Sequence, residues 1–255
     1  MNPEQLAWDA TFISRSASLR KPDFGIPQGA KRVAYPFRIM RYWFMHHLLI
    51  RESERLNRPV DVCEIGVDRG QMLYFTQTAC EHADPKPWAR WTAVDCRLKH
   101  EILRTNGYTD LVEENIDEAA PRLDGQYDVA ILLHILEHLR NPEAAMKRLV
   151  PSLKPGGAAI GGFPVTPEPF RRWRERQLRC NPRPFKHVSA FSPHRVHAMA
   201  KQAGLEVEFL SGAFFMRKKG FILENHAWWW RFNLRFGALF PGWPGEIYWL
   251  LRKPG

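Results

Sequence analysis

From residue 59 onward the chain alternates short apolar runs with helix-compatible stretches, and this alternation limits the fold more than any other feature. Proline cannot continue a helix, so Pro59 closes whatever precedes it. Val60-Asp61-Val62-Cys63-Glu64-Ile65-Gly66 reads as a strand that ends at a glycine, and residues 71–80 suit a helix. Residues 91–95 and 111–116 read as a second and a third strand. Residues 127–133 are almost continuously apolar, as a strand buried on both faces would be. Asn141-Pro142-Glu143 opens a helix, since Asn can cap and Pro tolerates the first turn. That helix is predicted to run to Leu153 and to stop at Lys154-Pro155-Gly156-Gly157, before a fifth strand over 158–163. A basic helical segment follows at 170–179, and Ser192-Pro193-His194-Arg195 opens a further helix that ends at Gly204. Residues 205–210 and 245–251 read as the last strands. The pattern predicts an α/β protein with a doubly wound, mostly parallel sheet and helices on both faces. In such sheets ligands sit beyond the carboxyl ends of the strands, where strand order reverses.

The 255 residues are 45% hydrophobic and 25% charged, an ordinary globular mixture that argues against disorder and fibrous repeats. No run approaches the ~20 apolar residues of a membrane span, and the first residues lack the apolar core of a signal peptide. Cys63, Cys80, Cys96 and Cys180 form no CxxC pair, which reads as a reduced, cytoplasmic chain. Charge is uneven: residues 1–58 carry net +5, residues 59–150 net −6 and residues 151–255 net +11. Basic ends around an acidic middle suit an anionic partner or surface, or simply a solvated exterior. We divide the chain into a helical extension over 1–57 that covers the site and a domain over 58–255. The domain carries an aromatic-rich insert at about 214–244.

The chemistry-bearing residues fall where the fold would place a ligand. Gly66 permits a tight turn, and Gly70 allows close backbone approach at a helix start. The spacing lacks the G-x-G-x-x-G pattern of dinucleotide sites. Asp95 ends the second strand, where a carboxylate can accept from ribose hydroxyls. Asn115 and Ile116 close the third, where an amide oxygen can accept from an adenine amino group. Together these describe a nucleoside without a pyrophosphate.

This ordered set resembles the class I S-adenosylmethionine (SAM)-dependent methyltransferases. The resemblance rests on Glu64-Ile65-Gly66-xxx-Gly70, Asp95, Asn115-Ile116, Tyr127-Asp128-Val129, Leu136-Glu137-His138-Leu139 and Leu153-Lys154-Pro155-Gly156-Gly157, and it covers roughly residues 58–210. It is closest to the small-molecule branch that includes ubiquinone-pathway O-methyltransferases. The resemblance implies a seven-stranded Rossmann-like sheet whose last strand is antiparallel. It also implies that Glu64 and Gly66 hold the methionine end of SAM with Gly70 in the loop beside it, that Asp95 binds the ribose, and that Asn115 and Ile116 flank the adenine. Two departures affect the loop: Asp68 stands where many relatives have glycine, and residues 81–90 look like an insertion.

Methyl transfer to a hydroxyl needs a group that helps remove its proton. The candidates are His138, His187 and His134. His134-Ile135-Leu136-Glu137-His138 matches the H-x-x-E-H letters of some zinc proteases, but that motif needs one helical face and here it continues a buried strand. Similarity to ubiquinone-pathway and small-RNA methyltransferases that bind a divalent ion offers His134, Glu137, His138 and His187 as an optional ligand set. Imidazoles with one carboxylate would favour a transition ion over magnesium.

The reading is therefore a methyltransferase acting on a small-molecule acceptor, most simply by O-methylation. One alternative is RNA methylation through the basic 171–186 segment, whose arginines and aromatic residues suit stacking and phosphate contact. Another is a non-catalytic SAM-fold scaffold. Trp229, Phe232, Phe236 and Phe240 are predicted to share one face of an insert helix. That face would serve as core, as a lid over the acceptor, or as an interfacial membrane contact.

Overall fold

The structure is a computed structural model that describes residues 36–118, 125–180, 186–216, 218, 221–223 and 226–255. Residues 1–35 of the anticipated extension lie outside the described residues. In chain order the elements are α1 (Pro36–Leu56), β1 (Val60–Ile65), α2 (Gln71–Ala79), β2 (Trp88–Asp95), α3 (His100–Thr105) and β3 (Asp110–Glu113). Then come β4 (Tyr127–Leu133), α4 (Pro142–Leu149), β5 (Leu153–Pro164), α5 (Glu168–Cys180), α6 (Pro193–Ala203), β6 (Glu206–Gly212), α7 (Ala227–Leu239) and β7 (Glu246–Arg252).

The strands form one sheet in the order β3-β2-β1-β4-β5-β7-β6. All neighbours are parallel except β7, which is antiparallel to both β5 and β6. Strand order reverses between β1 and β4, which puts a crevice at their carboxyl ends. One face of the sheet is covered by α1, α2 and α7, through Phe44, Leu48, Leu73, Phe75, Trp230 and Leu234. The other is covered by α4 and α6, through Met146, Leu149, Val196 and Met199. With both faces covered, β4 and β7 are buried at all but their last residue. This accounts for their largely apolar sequences, interrupted only by Asp128 in β4 and by Glu246 and Arg252 at the ends of β7.

Helix boundaries follow local chemistry. The Asn141 side chain accepts from the Ala144 N–H at 3.3 Å, and the Ser192 hydroxyl accepts from the Arg195 N–H at 3.2 Å. Gly204 ends α6 in the left-handed conformation, at φ 70°.

Three local expectations are corrected. First, Lys154-Pro155-Gly156-Gly157 is no helix stop: α4 ends at Leu149, a single tight turn spans 150–152, and β5 already begins at Leu153. Leu153 pairs with Tyr127 and Ala158 with Val129, so four residues bulge opposite one. A proline without an N–H and Gly156 at φ 70° suit a bulge as well as a helix terminus. Lys154 fastens this bulge through Asp61 at 2.7 Å and Asp128 at 3.0 Å. Second, β3 stops at Glu113, so Asn115 and Ile116 sit in the turn beyond it. Third, the buried side of α7 is Trp229, Trp230, Asn233 and Leu234, whereas Phe232 and Phe240 are exposed. The sheet takes up Trp230; Trp229, Phe232, Phe236 and Phe240 do share one face, but as an aromatic ladder with Phe215 and Trp243 and not as core.

Candidate active site

A cavity of about 790 Å³ opens at the carboxyl ends of β1, β2, β3 and β4. Its size is that of a cofactor site. Glu64, Gly66, Asp95, Asn115, Ile116, His134, His138 and His187 all line it. Residues spread over more than a hundred positions of sequence thus share one hollow. Gly70 and Glu137 are not among its lining residues.

Gly66 turns the chain from β1 to α2 at φ 77°. A side chain there would place its Cβ 1.8 Å from Ile135 Cδ1 on a positive φ, so any other residue is strained and displaces Ile135 or the loop. Gly70 also has φ 77°, and a Cβ there would meet Tyr108 at 2.7 Å. Asp68 adopts the left-handed conformation too, at φ 48°. The loop therefore keeps a path that glycine favours, and Asp is among the residues that tolerate it. Its carboxylate pairs with Lys99 and accepts from Gln71 Nε2 at 3.2 Å.

Glu64 is buried at the base of the loop. Its Oε2 accepts from the Tyr108 hydroxyl at 2.7 Å and from Trp91 Nε1 at 2.9 Å. Burial pushes its carboxyl up to about 7, against the pull of those two hydrogen bonds, and the nearby Asp95 charge adds to the rise. Asp95 Oδ1 accepts from the Arg97 N–H at 3.1 Å, which fixes its carboxylate at the end of β2. The Asn115 Oδ1 accepts from the Asp117 N–H at 3.1 Å, so this side chain forms the turn as well as lining the cavity.

The histidines divide into two groups. His134 follows β4 at φ 57°, with its Nδ1 2.9 Å from Glu137 Oε1 and its Nε2 3.5 Å from Glu246 Oε1. His138 and His187 meet edge to face, with ring centroids 4.8 Å apart. His187 is held there because the Glu137 carbonyl accepts from the Val188 and Ser189 N–H groups. Burial lowers the His187 pKa, and the neighbouring His138, His134 and Arg174 lower it further against the opposing Glu137. Burial pushes the Glu137 carboxyl up, but the charges of His134 and His138 outweigh it and leave it below the usual range.

Among the described residues, Glu137, His138 and His187 present ligand atoms that lie within 4.8 Å of one another. His134, the fourth member of the anticipated set, is not in that group.

Sequence reasoning placed the 1–57 extension over the site but named neither Arg41 nor Tyr42 as a site residue; both reach the cavity from α1. Arg41 Nη2 donates to Glu246 Oε1 at 2.7 Å, and the Tyr248 hydroxyl donates to Glu246 Oε2 at 2.5 Å. Arg41 Nε has no hydrogen-bond partner among the described residues. The one available signal was a lone acid, Glu246, at the head of an otherwise apolar strand.

The comparisons agree with this geometry. A family model described as a methyltransferase domain matches residues 37–209. A curated relative, a ubiquinone biosynthesis O-methyltransferase of Escherichia coli, is 34% identical over 59 residues, which is 23% of this chain and 25% of that protein. The chain thus spans about a quarter of the length of the curated relatives it matches. Similar solved structures include a methyltransferase of Bacillus halodurans, at TM-score 0.54 and 17% identity over 81% of this chain and 99% of that one. They also include the N-methyltransferase NodS of Bradyrhizobium japonicum in complex with S-adenosyl-L-homocysteine, at TM-score 0.53 and 16% identity over 97% and 100%. With a family model covering most of the chain and the seven-stranded order above, this protein belongs to the class I SAM-dependent methyltransferases.

Proposed function

We propose that this enzyme methylates a hydroxyl of a small-molecule acceptor. The observation that carries the proposal is the convergence of Glu64, Asp95, Asn115 and Ile116 with His138 and His187 on one cavity. SAM fits this wall: a glycine cradle that a Cβ would fill, a carboxylate at the end of β2, and a buried acid beneath the loop. When bound, SAM supplies a methyl group on a positively charged sulfur.

The chain's own residues have the remaining tasks. Glu64 and the Gly66 turn hold the methionine end, with Gly70 in the loop beside it. Asp95 accepts from the ribose hydroxyls, and Asn115 and Ile116 flank the adenine. Burial holds the His187 pKa below the usual imidazole value, which favours the neutral ring whose lone pair can take the acceptor's proton. His138 fixes the His187 ring and lines the acceptor side of the cavity. The ubiquinone O-methyltransferase resemblance supports oxygen as the methylated atom. The direct test incubates the protein and labelled SAM with a cell extract and identifies the metabolite that gains the label.

Two predictions follow at this site. His187→Ala and His138→Ala should each lower turnover about 10²–10⁴-fold, the usual contribution of a general base, with SAM affinity nearly intact. Single-turnover kinetics beside calorimetry checks this, and equal loss of both properties would assign the histidines to folding. The second concerns pH. Glu64 must be ionised to meet the cationic end of SAM, so affinity should fall as pH drops below about 7, approaching tenfold per pH unit. Glu64→Gln should flatten that profile. In the ligand-free protein the sign is opposite. The folded value lies above the unfolded one, so the stability Glu64 contributes is full below about pH 4.5 and is lost as pH rises through about 7. The change is on the order of 3 kcal/mol.

A second reading is favoured by the Glu137, His138 and His187 group, whose two imidazoles and one carboxylate suit a divalent transition ion. The same groups would then orient the acceptor oxygen. Elemental analysis of the purified protein, and activity after chelation, decides between a metal-assisted and a metal-free site.

A further inference from the structure

Ten large apolar side chains are exposed among the described residues, and nine of them lie between Phe170 and Trp243. They occupy two elements, α5 and the segment between β6 and β7. Both leave the sheet at the carboxyl ends of β5 and β6, the edge where the cavity opens. The two are also joined. A Cβ on Gly242 would lie 3.9 Å from Pro193, and the neighbouring Ser192 hydroxyl donates to Glu168 at the start of α5.

Helix α5 is turned inside out. A surface helix ordinarily buries its apolar stripe and exposes its charges. Here Glu175 faces the body and accepts from Arg195 Nη1 at 2.8 Å, while Arg179 Nη2 donates to the Arg140 carbonyl at 3.1 Å. No residue of the helix is buried. Phe170 and Trp173 point outward at about 60% exposure, interleaved with exposed Arg172, Arg174 and Arg176. Helix α7 repeats the arrangement. It buries Trp230 and Leu234 and turns Trp228, Phe232 and Leu239 to solvent beside exposed Arg231 and Arg235. Neither face has a covering element in this chain among the described residues.

We propose that this rim docks on the surface of an anionic phospholipid bilayer. Rings and aliphatic side chains that fold leaves wet can enter the boundary between headgroups and acyl chains, and the interleaved arginines can meet lipid phosphates. Charge complementarity favours this occupant: residues 151–255 carry net +11, and the arginines stand among the rings rather than on an opposite face. Among the described residues no helix is long and apolar enough to cross a membrane, so the proposed contact is interfacial. Docking in this way sets the cavity edge of the sheet next to the bilayer.

Flotation of the full chain with vesicles tests the proposal. The protein should float with phosphatidylcholine vesicles containing one-third phosphatidylglycerol and remain in solution with phosphatidylcholine alone. Added salt should weaken the attachment. R172Q/R174Q/R176Q should lower vesicle affinity roughly fivefold per arginine removed. Phe170→Ser with Trp173→Ser, and separately Trp228→Ser with Leu239→Ser, should release the protein even at low salt. Binding of S-adenosylhomocysteine by all three variants should match the parent, which shows that they fold and separates this test from that of the methyltransferase site. Absence of flotation with anionic vesicles at low salt would overturn the proposal, as would flotation that none of these variants reduces. Capture of single-stranded RNA without vesicle binding would also overturn it, and would assign the arginines to nucleic acid.

Discussion

Glu246→Leu is expected to destabilise the protein by about 3–5 kcal/mol, the usual result of leaving one member of a buried ion pair alone. For a chain of this size that lowers the melting temperature by roughly 6–20 °C. Glu246 is almost fully buried and accepts from both Arg41 and Tyr248. Burial works against the Arg41 charge, and Glu246 is the largest influence that restores it. Without Glu246 the guanidinium keeps its charge in an apolar wall. Arg41→Leu combined with Glu246→Leu should recover at least half of the loss, because the unpaired charge goes with its partner. Thermal melts of the two single variants and the double variant check this. A double variant as unstable as the sum of the singles would show that the pair is not coupled. The cycle also reports on the site, since Arg41 lines the cavity and His134 Nε2 lies 3.5 Å from the same carboxylate.

Gly66→Ala is expected to weaken SAM binding about a hundredfold, equivalent to about 3 kcal/mol. The new methyl group would fall 1.8 Å from Ile135 Cδ1 on a backbone at φ 77°. The left-handed conformation alone costs a non-glycine residue about 1–2 kcal/mol. Two relaxations are open. The turn can abandon its positive φ and move the loop, or Ile135 can swing aside into the cavity that it lines. Either one removes space or donors from the methionine end. Calorimetry with SAM measures the loss. Adding Ile135→Ala to Gly66→Ala should restore part of the affinity by clearing the collision. If Gly66→Ala binds SAM as the parent does, the loop does not hold the cofactor.

Both predictions bear on what could be read from the chain. Gly66, Asp95 and the caps at Asn141 and Ser192 were legible because each depends on a few neighbouring residues. A glycine after a buried strand marks a positive φ, and Asn-Pro or Ser-Pro marks a helix start. The parallel sheet was legible for a similar reason, since buried strands need apolar residues on both faces. The Lys-Pro-Gly-Gly phrase misled because a bulge and a helix terminus ask for the same residues. Only the register of β5 against β4 distinguishes them. The insert misled because helical periodicity shows which residues share a face and is silent on which face meets the sheet.

The amino-acid order by itself determined the succession of strands and helices, the turn at Gly66 and the acidic ends of β1 and β2, since these express backbone sterics and short-range hydrogen bonding. Tertiary structure alone decided that Arg41 meets Glu246 across 205 positions, that His187 reaches His138, and that α5 turns its rings to solvent. Such partners are chosen by strand order and by competition for burial, and neither quantity is written in any local stretch of the chain.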